Sequence, residues 1–141
     1  MYVKEILHQK GHDVFTIDTN VTLIEVVDEL VDRKCGSLVV MEDGKMIGIV
    51  TERDILRACA EGHTPLAETP LEQAVKRDLV TAKPTDKVSH LMGVMTERRI
   101  RHLPVVENEE LIGIISIGDV VKAQHAELCR ENQFLKEYII S

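Results

Sequence analysis

Tryptophan is absent from the 141 residues, and aromatic side chains make up only 3% of them. A core without aromatic bulk has to be filled by Val, Ile, Leu and Met, and with 44% hydrophobic residues the chain has enough of them for one well-packed domain. Cysteine is equally scarce. Cys35, Cys59 and Cys129 stand far apart with no paired spacing, which fits reduced thiols packed as small hydrophobes rather than a disulfide framework. No apolar run approaches the ~20 residues that cross a bilayer. The opening Met1-Tyr2-Val3-Lys4-Glu5-Ile6-Leu7-His8 lacks the apolar stretch of a signal peptide. A cytoplasmic protein without a membrane partner is expected. Positive charge is also in deficit: 17 Lys and Arg against 24 Asp and Glu leave a net charge of −7. That balance argues against a nucleic-acid partner, which calls for a basic face.

Catalytic equipment is missing as well. The six histidines, His8, His12, His63, His90, His102 and His125, show no metal-ligand spacing beyond His8 and His12. With Gly11 between those two and no acid to bridge them, they read as surface histidines. No Ser-His-Asp order and no phosphate-binding glycine loop appears, so no enzyme and no catalytic cofactor are expected.

What the chain does have is a repeat. Gly48-Ile49-Val50-Thr51-Glu52-Arg53-Asp54 returns as Gly113-Ile114-Ile115-Ser116-Ile117-Gly118-Asp119, 65 residues later and without a gap from Val14/Leu79 to Leu56/Val121. Two copies are too few for a solenoid, so a closed pair of half-units sharing one core is expected.

The pattern gives each half a β-α-β-β-α order, an α+β fold. Val3 to Lys10 is a short amphipathic helix expected to pack against the first repeat. In the first repeat a strand at Val14 to Ile17 precedes a helix opened by the capping box Thr22-Leu23-Ile24-Glu25. Its stripe is Leu23, Val26, Val27, Leu30 and Val31, and Gly36 is expected to end it. The runs Leu38 to Met41 and Met46 to Val50 flank Glu42-Asp43-Gly44-Lys45, a hairpin signal. In the second repeat the corresponding elements are a helix opened by Thr69-Pro70-Leu71-Glu72, a strand at Leu79 to Ala82, a helix from Lys87 to Arg99, and strands at Leu103 to Glu107 and Leu111 to Ile115. The last helix starts after Ser116 and reaches Ile140. Along it Val121, His125, Leu128, Asn132, Leu135 and Ile139 alternate four and three apart, which suits a partner helix and an internal core equally.

Thr51-x-x-Asp54 and Ser116-x-x-Asp119 admit two readings. Hydroxyl, two residues, acid is a helix capping box. It is also a way to present free backbone N–H groups to phosphate and a carboxylate to ribose hydroxyls. Both copies use the shorter Asp, and both carry an in-strand glycine that implies close approach of some backbone. Arg98-Arg99-Ile100-Arg101-His102 is a local cationic spot, readable as a helix C-terminus or as an anion site. The first repeat has Gly36 and Ser37 where the second has Arg101 and His102.

The doubled motif, each copy closing a β-α-β-β unit, resembles the CBS (cystathionine β-synthase) domain, as does Arg101-His102-Leu103-Pro104-Val105-Val106. The resemblance covers residues 1 to about 125. It implies a stand-alone tandem pair of bacterial or archaeal type, with unit 1 at residues 1–62, unit 2 at 63–125 and a helical extension at 126–141. It further implies a disc-like homodimer and a ligand of adenosine type: AMP first, then ATP or ADP, NAD(H) or S-adenosylmethionine. By the family pattern the ligands lie in the cleft between the two units. Thr51, Arg53 and Asp54 would serve one ligand with Val80, Thr81, Ala82, Arg101, His102 and Pro104. Ser116 and Asp119 would serve another with Thr16, Ile17, Gly36 and Ser37, and with fewer cations should hold phosphate less tightly. The function implied is an energy or redox sensor acting on an effector protein the sequence does not name. The alternative is a dimerisation module with vestigial sites.

Overall fold

The computed structural model describes residues 1–62 and 64–140; His63 lies outside the described residues. Helices and strands are mixed, as an α+β fold requires. The chain forms helices α1 (Val3–Lys10), α2 (Leu23–Arg33), α3 (Glu52–Glu61), α4 (Val88–Arg98) and α5 (Ile117–Ile140). Its strands are β1 (Thr16–Asp18), β2 (Ser37–Glu42), β3 (Lys45–Thr51), β4 (His102–Glu107) and β5 (Glu110–Ser116). They belong to two compact units, Val14–Leu79 and Met1–Asp13 joined with the chain from Val80 onward.

In the unit of residues 14–79 the sheet runs β1-β2-β3, with β1 parallel to β2 and β2 antiparallel to β3. The Asp43-Gly44 turn takes positive φ at both residues (51° and 77°), the geometry whose twist matches a two-residue hairpin. The Thr22 backbone N–H donates to Glu25 Oε2 at 2.8 Å, as the capping box predicts. Of the expected stripe, Leu23, Val26 and Leu30 are buried, Val27 is partly so, and Val31 is 68% exposed. The helix does not run to Gly36. Lys34 turns left-handed (φ 53°), and its N–H satisfies the Leu30 and Val31 carbonyls first. The apolar cluster of this unit holds Leu23, Val26, Leu38, Val40, Val50 and Leu71.

The other unit repeats the hairpin, with β4 antiparallel to β5. The strand expected at Leu79 to Ala82 shrinks to one parallel bridge, Ala82 to Val105. The Ala82 N–H donates to the Pro104 carbonyl at 2.8 Å and the Val106 N–H to the Ala82 carbonyl at 2.9 Å. Pro84, two residues on, turns the chain away after that single rung. This unit has its own cluster of Val3, Leu7, Leu91, Leu103, Val105 and Ile115. Two clusters thus replace the single shared core expected from the sequence.

Two further corrections have one cause. The leading helix α1 packs on the second repeat: Val3, Ile6 and Leu7 enter the second cluster, and the Val3 N–H donates to the Asp86 carbonyl at 2.9 Å. The segment expected to begin a helix at Thr69 packs on the first repeat instead. Leu71 is fully buried there, its N–H donates to the Val21 carbonyl at 2.9 Å, and the Leu23 N–H donates to the Thr69 carbonyl at 2.9 Å. That backbone pairing holds the segment extended at Pro70, so only a 3-10 turn, Leu71–Gln73, forms. Thr69 does not cap it; its hydroxyl donates to the Pro65 carbonyl at 2.9 Å. The lead-in segments are therefore exchanged, each completing the repeat that it does not precede.

The exchange explains the two in-strand glycines. A Cβ at Gly48 would lie 2.5 Å from the Lys76 carbonyl oxygen and 2.5 Å from Val75 Cγ2, while a Cβ at Gly113 would lie 2.6 Å from Leu7 Cδ2. Each glycine admits the exchanged segment. Backbone cannot yield as a leucine rotamer can, so Gly48→Ala is expected to cost ~2–3 kcal/mol and Gly113→Ala ~1 kcal/mol. Urea denaturation of the two variants checks this; equal losses would contradict the exchange as the reason for Gly48.

Candidate functional site

Strand β3 delivers Thr51 to the start of α3, and β5 delivers Ser116 to the start of α5. In the first motif the Thr51 N–H and hydroxyl both donate to Asp54 Oδ2, at 2.8 and 3.1 Å. In the second, the Ser116 N–H donates to Asp119 Oδ2 at 2.9 Å, and the Asp119 N–H donates to Ser116 Oγ at 3.2 Å. Both acids are helix caps.

Capping uses one oxygen of Asp54. Its side chain is 1% exposed, and Oδ1 has no hydrogen-bond partner. Arg57 Nη1 and Lys76 Nζ stand 3.5 and 3.6 Å from that oxygen, near enough for Coulomb attraction in a poorly solvated place. A buried carboxylate oxygen short of a donor is an acceptor in waiting. Asp119 differs. Lys10 Nζ donates to its Oδ2 at 2.7 Å and to the Ile114 carbonyl at 2.9 Å. Burial raises the Asp119 carboxyl, but the Lys10 hydrogen bond, the Ser116 N–H, the Lys10 charge and the Ser116 hydroxyl outweigh it, and it sits below its ordinary 3.8.

Lys10 and Lys76 were not among the residues singled out from the sequence. They close the two exchanged segments 66 residues apart, one step outside the 65-residue register, and that offset hides them in a gap-free comparison. Their presence changes the charge balance inferred from Gly36 and Ser37, since Lys10 gives the second motif a cation of its own.

The other residues singled out divide between the two units, and some of them adjoin a motif. In residues 14–79, Ser37 pairs across the sheet with Thr51, the Glu52 N–H donates to the Gly36 carbonyl at 3.1 Å, and β1, carrying exposed Thr16 and half-buried Ile17, lies beside β2. Arg53 is exposed on the first turn of α3. In the second unit His102 pairs with Ser116, and the Ile117 N–H donates to the Arg101 carbonyl at 2.8 Å. Val80 is half-buried, Thr81 exposed, and Ala82 and Pro104 buried. A groove of about 880 Å³ between α1 and α5 is lined by Lys4, His8, Lys10, Asp119, Lys122 and Arg130. Among the described residues no cluster of three or more His, Cys, Asp or Glu side chains could hold a metal, and no helix is long and apolar enough to cross a membrane.

The family model for the CBS domain matches residues 3–61 and again residues 67–126. The chain belongs to the CBS domain family. It is 36% identical to the Arabidopsis thaliana "CBS domain-containing protein CBSX3, mitochondrial", over 97% of this chain and 71% of that protein. The crystal structure of the CBS-domain protein ATU1752 from Agrobacterium tumefaciens superposes with a TM-score of 0.85 at 40% identity, covering 88% of this chain and 99% of that one. The CBS domain pair of protein MJ0100, solved with 5-methylthioadenosine and S-adenosyl-L-methionine, gives a TM-score of 0.78 at 25% identity, covering 90% and 98%. Each of the two CBS repeats here carries one complete copy of the hydroxyl-x-x-Asp motif.

Two expectations follow. Because the Asp119 carboxyl is depressed, its ion pair stabilises the fold fully above the ordinary value of 3.8 and loses that effect as pH falls below it. Lys10→Met should therefore cost about 1 kcal/mol near neutral pH and progressively less in acid, read by urea denaturation across that range. The thiols should also separate. Burial pushes the Cys35 thiol up, whereas Cys59 and Cys129 are exposed. A thiol reagent at mildly alkaline pH should label Cys59 and Cys129 first and Cys35 at least about tenfold more slowly; mass spectrometry of the labelled peptides reports the order.

Proposed function

We propose that this CBS pair is a non-catalytic regulatory module that binds an adenosine-type ligand, AMP before ATP or ADP, NAD(H) or S-adenosylmethionine, and signals its occupancy to an effector protein as an energy or redox sensor. The observation that carries the reading is Asp54: a capped carboxylate with one oxygen buried, lacking a donor, and faced by two cations. Two ribose hydroxyls are donors of the kind that oxygen lacks, and they would displace Lys76 and Arg57 toward a phosphate. The adenosyl ligands of the MJ0100 pair support the same class. A ligand acts on a partner only by favouring one of two states, so the effector has to distinguish the occupied form from the empty one.

A second reading keeps the pair as a dimerisation module with vestigial sites. It is favoured by the fact that both motif acids already serve as caps and already face lysines. Calorimetry against AMP, ADP, ATP, NAD(H) and S-adenosylmethionine separates the two. Under the sensor reading at least one binds, and Asp54→Ala weakens it by roughly 10–100-fold, the worth of hydrogen bonds to a charged group. Asp119→Ala should weaken binding less, and Arg101→Ala should hurt AMP more than adenosine. A wild-type protein that binds none of the five would leave the dimerisation reading.

A further inference from the structure

The groove between α1 and α5 lies wholly within the unit that joins residues 1–13 to the chain from Val80 onward. Two ion pairs clamp its ends. The Met1 amino group stands 3.3 Å from Glu127 Oε1 and Lys10 Nζ stands 2.7 Å from Asp119 Oδ2, so the two helices run antiparallel. On α5 the lining residues Asp119, Lys122, Ala123, Ala126 and Arg130 recur at helical spacing and share one face. At 1.5 Å per residue that wall is ~16 Å long, about three helical turns.

The charge of the groove is the reverse of the chain's. Four cations, Lys4, Lys10, Lys122 and Arg130, line it against two acids, Glu5 and Asp119, in a chain of net charge −7. Both acids are engaged already: Glu5 accepts the Tyr2 N–H at 2.6 Å, and Asp119 accepts from Lys10. Lys4, Lys122 and Arg130 are exposed, and among the described residues none of the three forms a salt bridge. The floor between them is apolar and low. Ile6 and Ala123 are buried there, and Ala126 presents only a methyl group.

We propose that this groove docks an acidic amphipathic helix of a partner protein, with small apolar side chains seated on Ala123 and Ala126 and carboxylates reaching Lys4, Lys122 and Arg130. The alanines let the axis of a third helix approach to the 8–10 Å of ordinary helix packing. Phosphate is the poorer match. It is held where donors converge, at a helix N-terminus or an arginine fork, and the N-terminus of α5 is already filled by the Asp119 cap. The free cations are spread out instead: Lys122 and Arg130 lie ~12 Å apart along α5, a span that carboxylates eight residues apart on a helix reproduce. A nucleic acid is opposed by the −7 of the chain as a whole. None of the three cations belongs to either hydroxyl-x-x-Asp motif, so the docking does not depend on which ligand the motifs bind.

The probe is a fluorescein-labelled 16-residue peptide with an alanine stripe flanked on both sides by glutamates; its twin has glutamine at every glutamate. Against the full chain, fluorescence anisotropy at low salt should show the acidic peptide binding at least about tenfold tighter than the twin, and weakening as salt rises. Lys4→Glu with Lys122→Glu and Arg130→Glu should lose roughly 10–100-fold, at up to about fivefold for each exposed pair. Ala126→Leu fills the floor without changing charge and should lose at least about tenfold, which keeps the test decisive if the triple reversal does not fold. A matched reversal outside the groove, Lys45→Glu with Lys83→Glu and Lys136→Glu, should bind as the wild type does. No binding of the acidic peptide, equal binding of the twin, an equal loss in the matched reversal, or tighter binding of a DNA duplex would each overturn the proposal. So would a change in sedimentation mass caused by Ala126→Leu, which would assign the groove to a second copy of the chain.

Discussion

Two glycines without room for a methyl group hold this architecture together. Gly48 lies under the Lys76 backbone and the Val75 side chain, and Gly113 lies under the Leu7 side chain. Because both positions admit a neighbouring segment at van der Waals range, each repeat is closed by the piece of chain that leads into the other. The two apolar clusters follow from that, since Leu7 and Leu71 are among the largest fully buried side chains and each is an imported one. So does the electrostatics of the motifs. The imported segments end in Lys10 and Lys76, and those are the ammonium groups that meet Asp119 and Asp54.

The near-symmetry stops at the acids. Asp54 is sealed in, with one oxygen serving the cap and the other without a donor. Asp119 is more open and is held by a short hydrogen bond from Lys10. A cation at 3.6 Å without a hydrogen bond is more easily displaced than one at 2.7 Å with two acceptors. The two motifs therefore begin from different electrostatic ground states, although both place a hydroxyl three residues before an Asp.

Much of this was legible before any coordinates. The 65-residue register, the Asp43-Gly44 hairpin and the Thr22 capping box are local signals, and their geometry follows from a few neighbouring residues. The placement of α1 was not legible. Its amphipathic spacing states that one face must be buried but not where, and adjacency in sequence suggested the wrong repeat. The strand at Leu79 to Ala82 failed for a related reason: apolar β-formers were present, but Pro84 and a single available rung left room for one bridge. Val31 kept helical spacing yet stays outside, since helix period fixes a face and not its width. Lys10 and Lys76 escaped notice because they lie outside the gap-free alignment, where the repeat could not point to them.

Exchange of the lead-in segments also bears on how the molecule comes into being. Helix α1 is synthesised well before the repeat it closes, since its partners Leu103 and Ile115 lie about a hundred residues downstream. The first repeat, in turn, waits for Leu71. During synthesis the first repeat emerges before its unit is complete, and α1 waits with Val3, Ile6 and Leu7 uncovered until the second repeat emerges. Long-range closure of this kind slows folding and exposes apolar surface to competing contacts. It also makes the ends of the chain interdependent, because the last repeat cannot close without the first ten residues.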